Sequence, residues 1–117
     1  MKYMCLIYST ETEMPGPNSP ELEEAMNGYF ALSQDSYKAG VLVRGDELAS
    51  ASTATTLRVR DGETLLSDGP FIETKEQLGG YYIFDVPNLD DAIRWAEKIP
   101  GARQGTIEIR PIVDHEG

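Results

Sequence analysis

Residues 81–99 read Tyr-Tyr-Ile-Phe-Asp-Val-Pro-Asn-Leu-Asp-Asp-Ala-Ile-Arg-Trp-Ala-Glu-Lys-Ile, and they set a strand directly against a helix. Residues 81–86 are aromatic and apolar apart from Asp85, the composition of a pleated strand. Alternation puts Tyr82, Phe84 and Val86 on one side and Tyr81 and Ile83 on the other, so both sides are apolar. A strand of that kind is covered from above and below and belongs at the centre of its sheet. Asn88 then serves as an N-cap, with Asp91 at the third helical position, where its charge meets the positive end of the helix dipole. Leu89, Ala92, Ile93, Ala96 and Ile99 recur at helical spacing as a buried stripe until Pro100.

Working outward, residues 106–113 form a last strand, with Ile107, Ile109 and Val113 on one face and Glu108 and Arg110 on the other. The N-terminal half holds the same parts. Residues 2–8 are a strand apolar on both sides, Met4, Leu6 and Tyr8 against Tyr3, Cys5 and Ile7. A loop-like stretch, 14–20, follows, in which three prolines preclude regular structure. Ser19 as N-cap, Pro20 in the first helical position and Glu21, Glu23 and Glu24 behind them predict a helix start. Its apolar stripe is Leu22, Ala25, Tyr29 and Leu32, flanked by Met26, Phe30 and Tyr37, and Gly40 supplies a left-handed cap. A second strand covers 41–45. Between the halves, 55–60 and 63–66 flank Asp61-Gly62, a strong hairpin signal. Thr74-Lys75-Glu76-Gln77 fits a capping box on one helical turn, stopped by Gly79-Gly80.

With the hairpin set aside, the order is strand, helix, strand, strand, helix, strand. That is the α+β ferredoxin-like βαββαβ plan with an inserted β-hairpin, laid out in one domain of residues 1–117. Two helices cover only one face of a four-stranded sheet, and the other face measures on the order of 350 Å². An apolar face of that size calls for a cover, and a second copy related by two-fold symmetry is the economical one. A homodimer is expected.

Composition narrows the function. Ten basic against twenty acidic side chains leave a formal charge of -10, which repels phosphate backbones and anionic lipid headgroups. Neither nucleic acid nor membrane is an expected partner. A lone Cys5 closes no intrachain bridge and points to a reducing compartment, the cytoplasm. The apolar run at 3–8 is too short for a signal-peptide core or a membrane span. His115, the single histidine, sits at the chain end, and Cys5 lies in an apolar strand without a nearby base. No CxxC, HExxH, GxGxxG or phosphate-loop pattern occurs, so no cofactor and no metal are expected.

The polar residues within strands carry more. If the apolar sides pack under the helices, Arg44, Glu108 and Arg110 point to the opposite face, where a dimer cleft would form, and on the second strand Arg44 and Asp46 alternate with Val43. Charged groups there must be paired or solvated, either as an ion-pair rim or as an anion-binding or catalytic cluster. Asp68 is a second focus. A turn-starting aspartate accepts from the N–H two residues on, but here that residue is Pro70. Its carboxylate is left for the N–H of Phe71, or for Lys75 or Arg110, and Asp68 with Lys75 would line one wall of the cleft. The alternative is a motif that only fixes a strand-to-loop reversal.

Asp68-Gly69-Pro70-Phe71, with Glu73-Thr74-Lys75-Glu76-Gln77-Leu78-Gly79-Gly80-Tyr81-Tyr82 after it, resembles the signature of the DGPF branch of the YCII-related family. The opening Met1-Lys2-Tyr3-Met4, the stretch Ala39-Gly40-Val41-Leu42-Val43 and the closing Ile107-Glu108-Ile109-Arg110-Pro111 fit as well. The resemblance implies a ferredoxin-like fold paired as a dimeric α/β barrel, in bacterial intracellular proteins of mostly undetermined activity, some encoded near extracytoplasmic-function sigma factors. It also implies, for related members, a histidine–aspartate pair, with one member a dehydrochlorinase of a chlorinated aromatic. Here no histidine precedes position 115, so that pair does not carry over.

Two function classes follow. In one, the cleft is an enzyme site for a small anionic or aromatic molecule, of lyase, isomerase or dehydrochlorinase type. Asp68, Glu73 or Glu108 would be acid or base, and Arg44, Lys75 or Arg110 electrostatic stabilisers. In the other, it is a non-catalytic ligand-binding or regulatory module that contacts a regulatory protein through its acidic surface. The lack of histidine and of a cofactor motif favours the second.

Overall fold

A computed structural model describes residues 1–10 and 19–115. Among these residues six strands and two α-helices run in the order β1 (Lys2–Ser9), α1 (Pro20–Lys38), β2 (Leu42–Glu47), β3 (Thr55–Arg60), β4 (Glu63–Asp68), β5 (Gln77–Asp85), α2 (Leu89–Ala96) and β6 (Thr106–Pro111). Strands β2, β5, β1 and β6 form one sheet in that order, antiparallel throughout, while β3 and β4 pair only with each other. This is the ferredoxin-like α+β arrangement, with the hairpin inserted between its halves. The two strands that are apolar on both sides, β1 and β5, are the central ones.

The caps act as their residues require. Ser19 accepts from the Leu22 N–H at 3.1 Å and Asn88 from the Asp91 N–H at 2.9 Å. Gly40 ends α1 at a φ of 74°, and the β3–β4 turn has φ values of 52° at Asp61 and 79° at Gly62, the two left-handed residues of a type I′ turn. One side of the large sheet is the core. Tyr3, Cys5 and Ile7 from β1 and Tyr82 and Phe84 from β5 are buried against Leu32 of α1 and against Ala92, Ala96 and Ile99. A run of rings, Tyr29, Tyr82, Phe84 and Trp95, threads this layer with centroids 6.4, 5.5 and 6.0 Å apart.

Several expectations are corrected. Residues 74–77 form no helical turn: Gln77 opens β5 by pairing with Ser9. Its amide donates to the carbonyls of Ile72 and Thr74 at 3.1 and 3.0 Å, and the Thr74 hydroxyl donates to the Glu76 carbonyl instead of capping. Gly79-Gly80 stops nothing, because both lie inside β5. The pairing runs from Ile7 with Gly80 to Tyr8 with Leu78, so Gly79 is the extra residue of a bulge. Strand β2 is shifted to Leu42–Glu47 with an irregularity at Val43, and β6 ends at Pro111 rather than at 113. Leu89 and Ile93 of the expected α2 stripe are exposed, while Ala92, Ala96 and Ile99 are buried, the last beyond the end of α2 at Ala96. Met26, Phe30 and Tyr37, expected to flank the α1 stripe, lie in solvent. Most of the expected proline-rich connector, 14–18, lies outside the described residues.

Candidate functional site

Strand register decides what the second face of the sheet carries, because residues paired across strands share a face. Arg44, Ile83, Met4 and Arg110 stand in one row across the four strands, and Asp46, Tyr81, Leu6 and Glu108 in the next. Tyr3, Cys5, Ile7, Tyr82 and Phe84 point the other way, into the helix layer. Among the described residues, neither helix covers this second face. Its centre is apolar and half-buried, through Met4, Leu6, Tyr81 and Ile83, and its two edges are charged and exposed. The edges are three strand spacings apart, roughly 14 Å, so Arg44 and Asp46 cannot reach Glu108 and Arg110 within one chain.

On the β2 edge the polar groups are organised. The Arg44 guanidinium holds Asp46 Oδ2 through Nη2 at 2.9 Å and Nε at 3.1 Å, and the Tyr81 hydroxyl donates to the same oxygen at 2.5 Å. The short O–H···O distance marks a charge-assisted hydrogen bond. The Tyr81 bond, with the guanidinium behind it, holds the Asp46 carboxyl below its ordinary range. The same bond pushes the Tyr81 phenol up, since losing its proton would set two negative oxygens face to face. At neutral pH the cluster is therefore a carboxylate, a neutral phenol and a guanidinium. Across the face, Glu108 and Arg110 stand on β6 as the sequence placed them relative to Ile107 and Ile109.

The remaining candidates lie elsewhere. Glu73 and Lys75 line a surface recess of about 300 Å³ with Ser52, Pro70, Thr74 and Gln77. Asp68 ends β4, paired with Thr55, and its carboxylate has no hydrogen-bond or ion-pair partner among the described residues. Its neighbour Gly69 is tied down instead: at a φ of 92° its N–H donates to the Ala54 carbonyl at 2.7 Å, and its own carbonyl accepts from the Thr56 hydroxyl at 2.8 Å. The Asp-Gly-Pro-Phe turn is thus braced through the glycine backbone, a position where a side chain would be strained. Asp68 and Lys75 do not pair with each other, and neither is joined to Arg110.

Cys5 is fully buried, and desolvation pushes its thiol up to about 11, which leaves it a core side chain rather than a nucleophile. His115 is exposed. Among the described residues no group of three His, Cys, Asp or Glu side chains is placed to hold a metal ion, and no helix is long and apolar enough to cross a membrane. Tyr81 is the site residue that sequence reasoning missed as a partner. In the sequence it stands as an apolar strand position and as part of the Gly79-Gly80-Tyr81-Tyr82 stretch, and nothing short of the β2–β5 register sets it opposite Asp46.

A ferredoxin-like α+β protein with an uncovered, charge-edged sheet face is the class these features define. The chain belongs to the YCII-related family: the model of the YCII-related domain matches residues 1–116. It is also similar to an uncharacterized protein of Rhizobium meliloti (strain 1021), 37% identical over 114 residues that span 96% of this chain and 92% of that protein.

Proposed function

We propose that the protein works as a homodimer whose two open sheet faces enclose a cleft, and that this cleft binds a small aromatic anion as a ligand-binding or regulatory module. The observation that carries this reading is the Arg44–Asp46–Tyr81 cluster beside an apolar sheet centre. An apolar floor made by Met4, Leu6 and Ile83 suits a ring, and Arg44 and Arg110 at the ends of one row suit a carboxylate. The face also complements itself. One row ends in two arginines and the next in two carboxylates, so a two-fold axis lying across the strands between the rows sets each basic end over an acidic one.

An enzymatic reading is favoured by one feature, the Tyr81–Asp46 hydrogen bond, which sets a phenol donor and a carboxylate acceptor side by side on the face without histidine. Thermal-shift titration with benzoate tests the binding reading. Benzoate is expected to raise the melting temperature of the wild type and to lose most of that effect in Arg44→Ala. No shift with benzoate up to millimolar concentration, or an equal shift in Arg44→Ala, contradicts it.

A further inference from the structure

Among the described residues the β3–β4 hairpin makes no extensive contact outside itself. Register sets Leu57 opposite Leu66 and Val59 opposite Thr64 on one face, and Arg58 opposite Leu65 and Arg60 opposite Glu63 on the other. The first face is the more apolar of the two, since Leu65 on the second stands beside charged side chains. Yet Leu57, Val59 and Leu66 are 59, 55 and 66% exposed, and the hairpin is hydrogen-bonded into no larger sheet. Two strands alone are marginal in water and need a surface to lie on. The radius of gyration, 16.3 Å, exceeds the roughly 13 Å of a compact chain of this length, which fits an arm held away from the body. The hairpin is nevertheless closed at both ends: the type I′ turn fixes its tip, and the Gly69 backbone bonds to Ala54 and Thr56 tie its two strands together at the base.

We infer that the hairpin is a clasp, which lays its Leu57–Val59–Leu66 face on the second copy of the chain. This rests on the two-copy reading of the open sheet face, and the areas select the occupant. Two sheet faces alone bury about 700 Å² in total, below the roughly 1,200 Å² at which stable interfaces begin. One face of a six-residue hairpin covers about 200 Å², so each arm and the surface it lands on add about 400 Å². Two arms raise the whole to about 1,500 Å², inside the range of a specific dimer. The sheet face supplies the register of the dimer, and the clasps supply the area it lacks.

The test is the dimer dissociation constant of the full chain, measured by sedimentation equilibrium for wild type, for Leu57→Thr/Leu66→Thr and for Ile83→Asp. Threonine keeps the strand propensity and removes the apolar surface. A folded Leu57→Thr/Leu66→Thr protein that dimerises at least tenfold more weakly supports the clasp. If that protein is folded and its constant stays within twofold of wild type while Ile83→Asp dissociates, the clasp is overturned and the sheet-face dimer stands. A monomeric wild type overturns both. Should the double variant fail to fold, amide exchange of residues 57–66 in the wild type decides: slowing as concentration rises through the dimerisation range is expected, and concentration-independent exchange overturns the clasp.

Discussion

Asp46 is the residue on which the open face turns, because it accepts from a guanidinium and a phenol through a single oxygen. Its folded-state pKa lies below the ordinary 3.8, so its contribution to stability is present above that value and is lost as pH falls through the lower folded one. For Tyr81 the folded value lies above the ordinary 10.0, and its contribution is full below 10.0 and is lost as pH rises through the folded value. The cluster is intact across the whole neutral window between. Ultraviolet titration of the phenols, with Tyr81→Phe subtracted to isolate one ring among six, is expected to show Tyr81 ionising above 10.0, and Asp46→Asn to bring it back toward that value. A Tyr81 titration indifferent to Asp46→Asn contradicts the bond. Arg44 and Asp46 were legible in the sequence as alternating strand residues. Tyr81 was not, because a hydrogen bond across strands 35 positions apart depends on register, which the irregularity at Val43 of β2 displaces.

At the level of elements, helices and turns were legible where a local chemical rule fixes them. Ser19, Gly40, Asp61-Gly62 and Asn88 each act through their own backbone or that of a neighbour two or three residues away, and each is found in its expected role. Ser19→Ala removes the one side-chain acceptor at the start of α1 and is expected to cost about 1 kcal/mol, a melting temperature lower by roughly 4 °C. Thermal denaturation checks this, and an unchanged transition would show that the first turn of α1 is not part of the cooperative fold. Residues 74–77 show where local rules yield. Their capping-box pattern competes with a strand that pairs β5 to the edge of β1, and the nine-residue β5 gains ladder hydrogen bonds on both sides that a single helical turn cannot match. Two glycines that punctuate helices in isolation become, in that strand, a bulge at Gly79 and a site of close backbone approach at Gly80. A Cβ added at Gly80 would stand 2.9 Å from the Asp46 carbonyl oxygen, so the strand there tolerates no side chain without a shift.

For the whole molecule, the βαββαβ plan was legible because two strands apolar on both sides can only be central, and the sheet order places β1 and β5 there. The same reasoning that sets them at the centre leaves one face for another partner. That face has an apolar middle and charged edges too far apart to neutralise each other, and the hairpin carries an exposed apolar face of its own. In the proposed dimer a second copy of the chain would answer all three at once: it would cover the middle, pair basic ends with acidic ones and receive the hairpins. Sedimentation equilibrium of the untagged wild-type protein at micromolar concentration tests this most directly. A species of twice the 12.9 kDa chain mass is the expected result, and a single species of 12.9 kDa, unchanged as concentration rises, would contradict it.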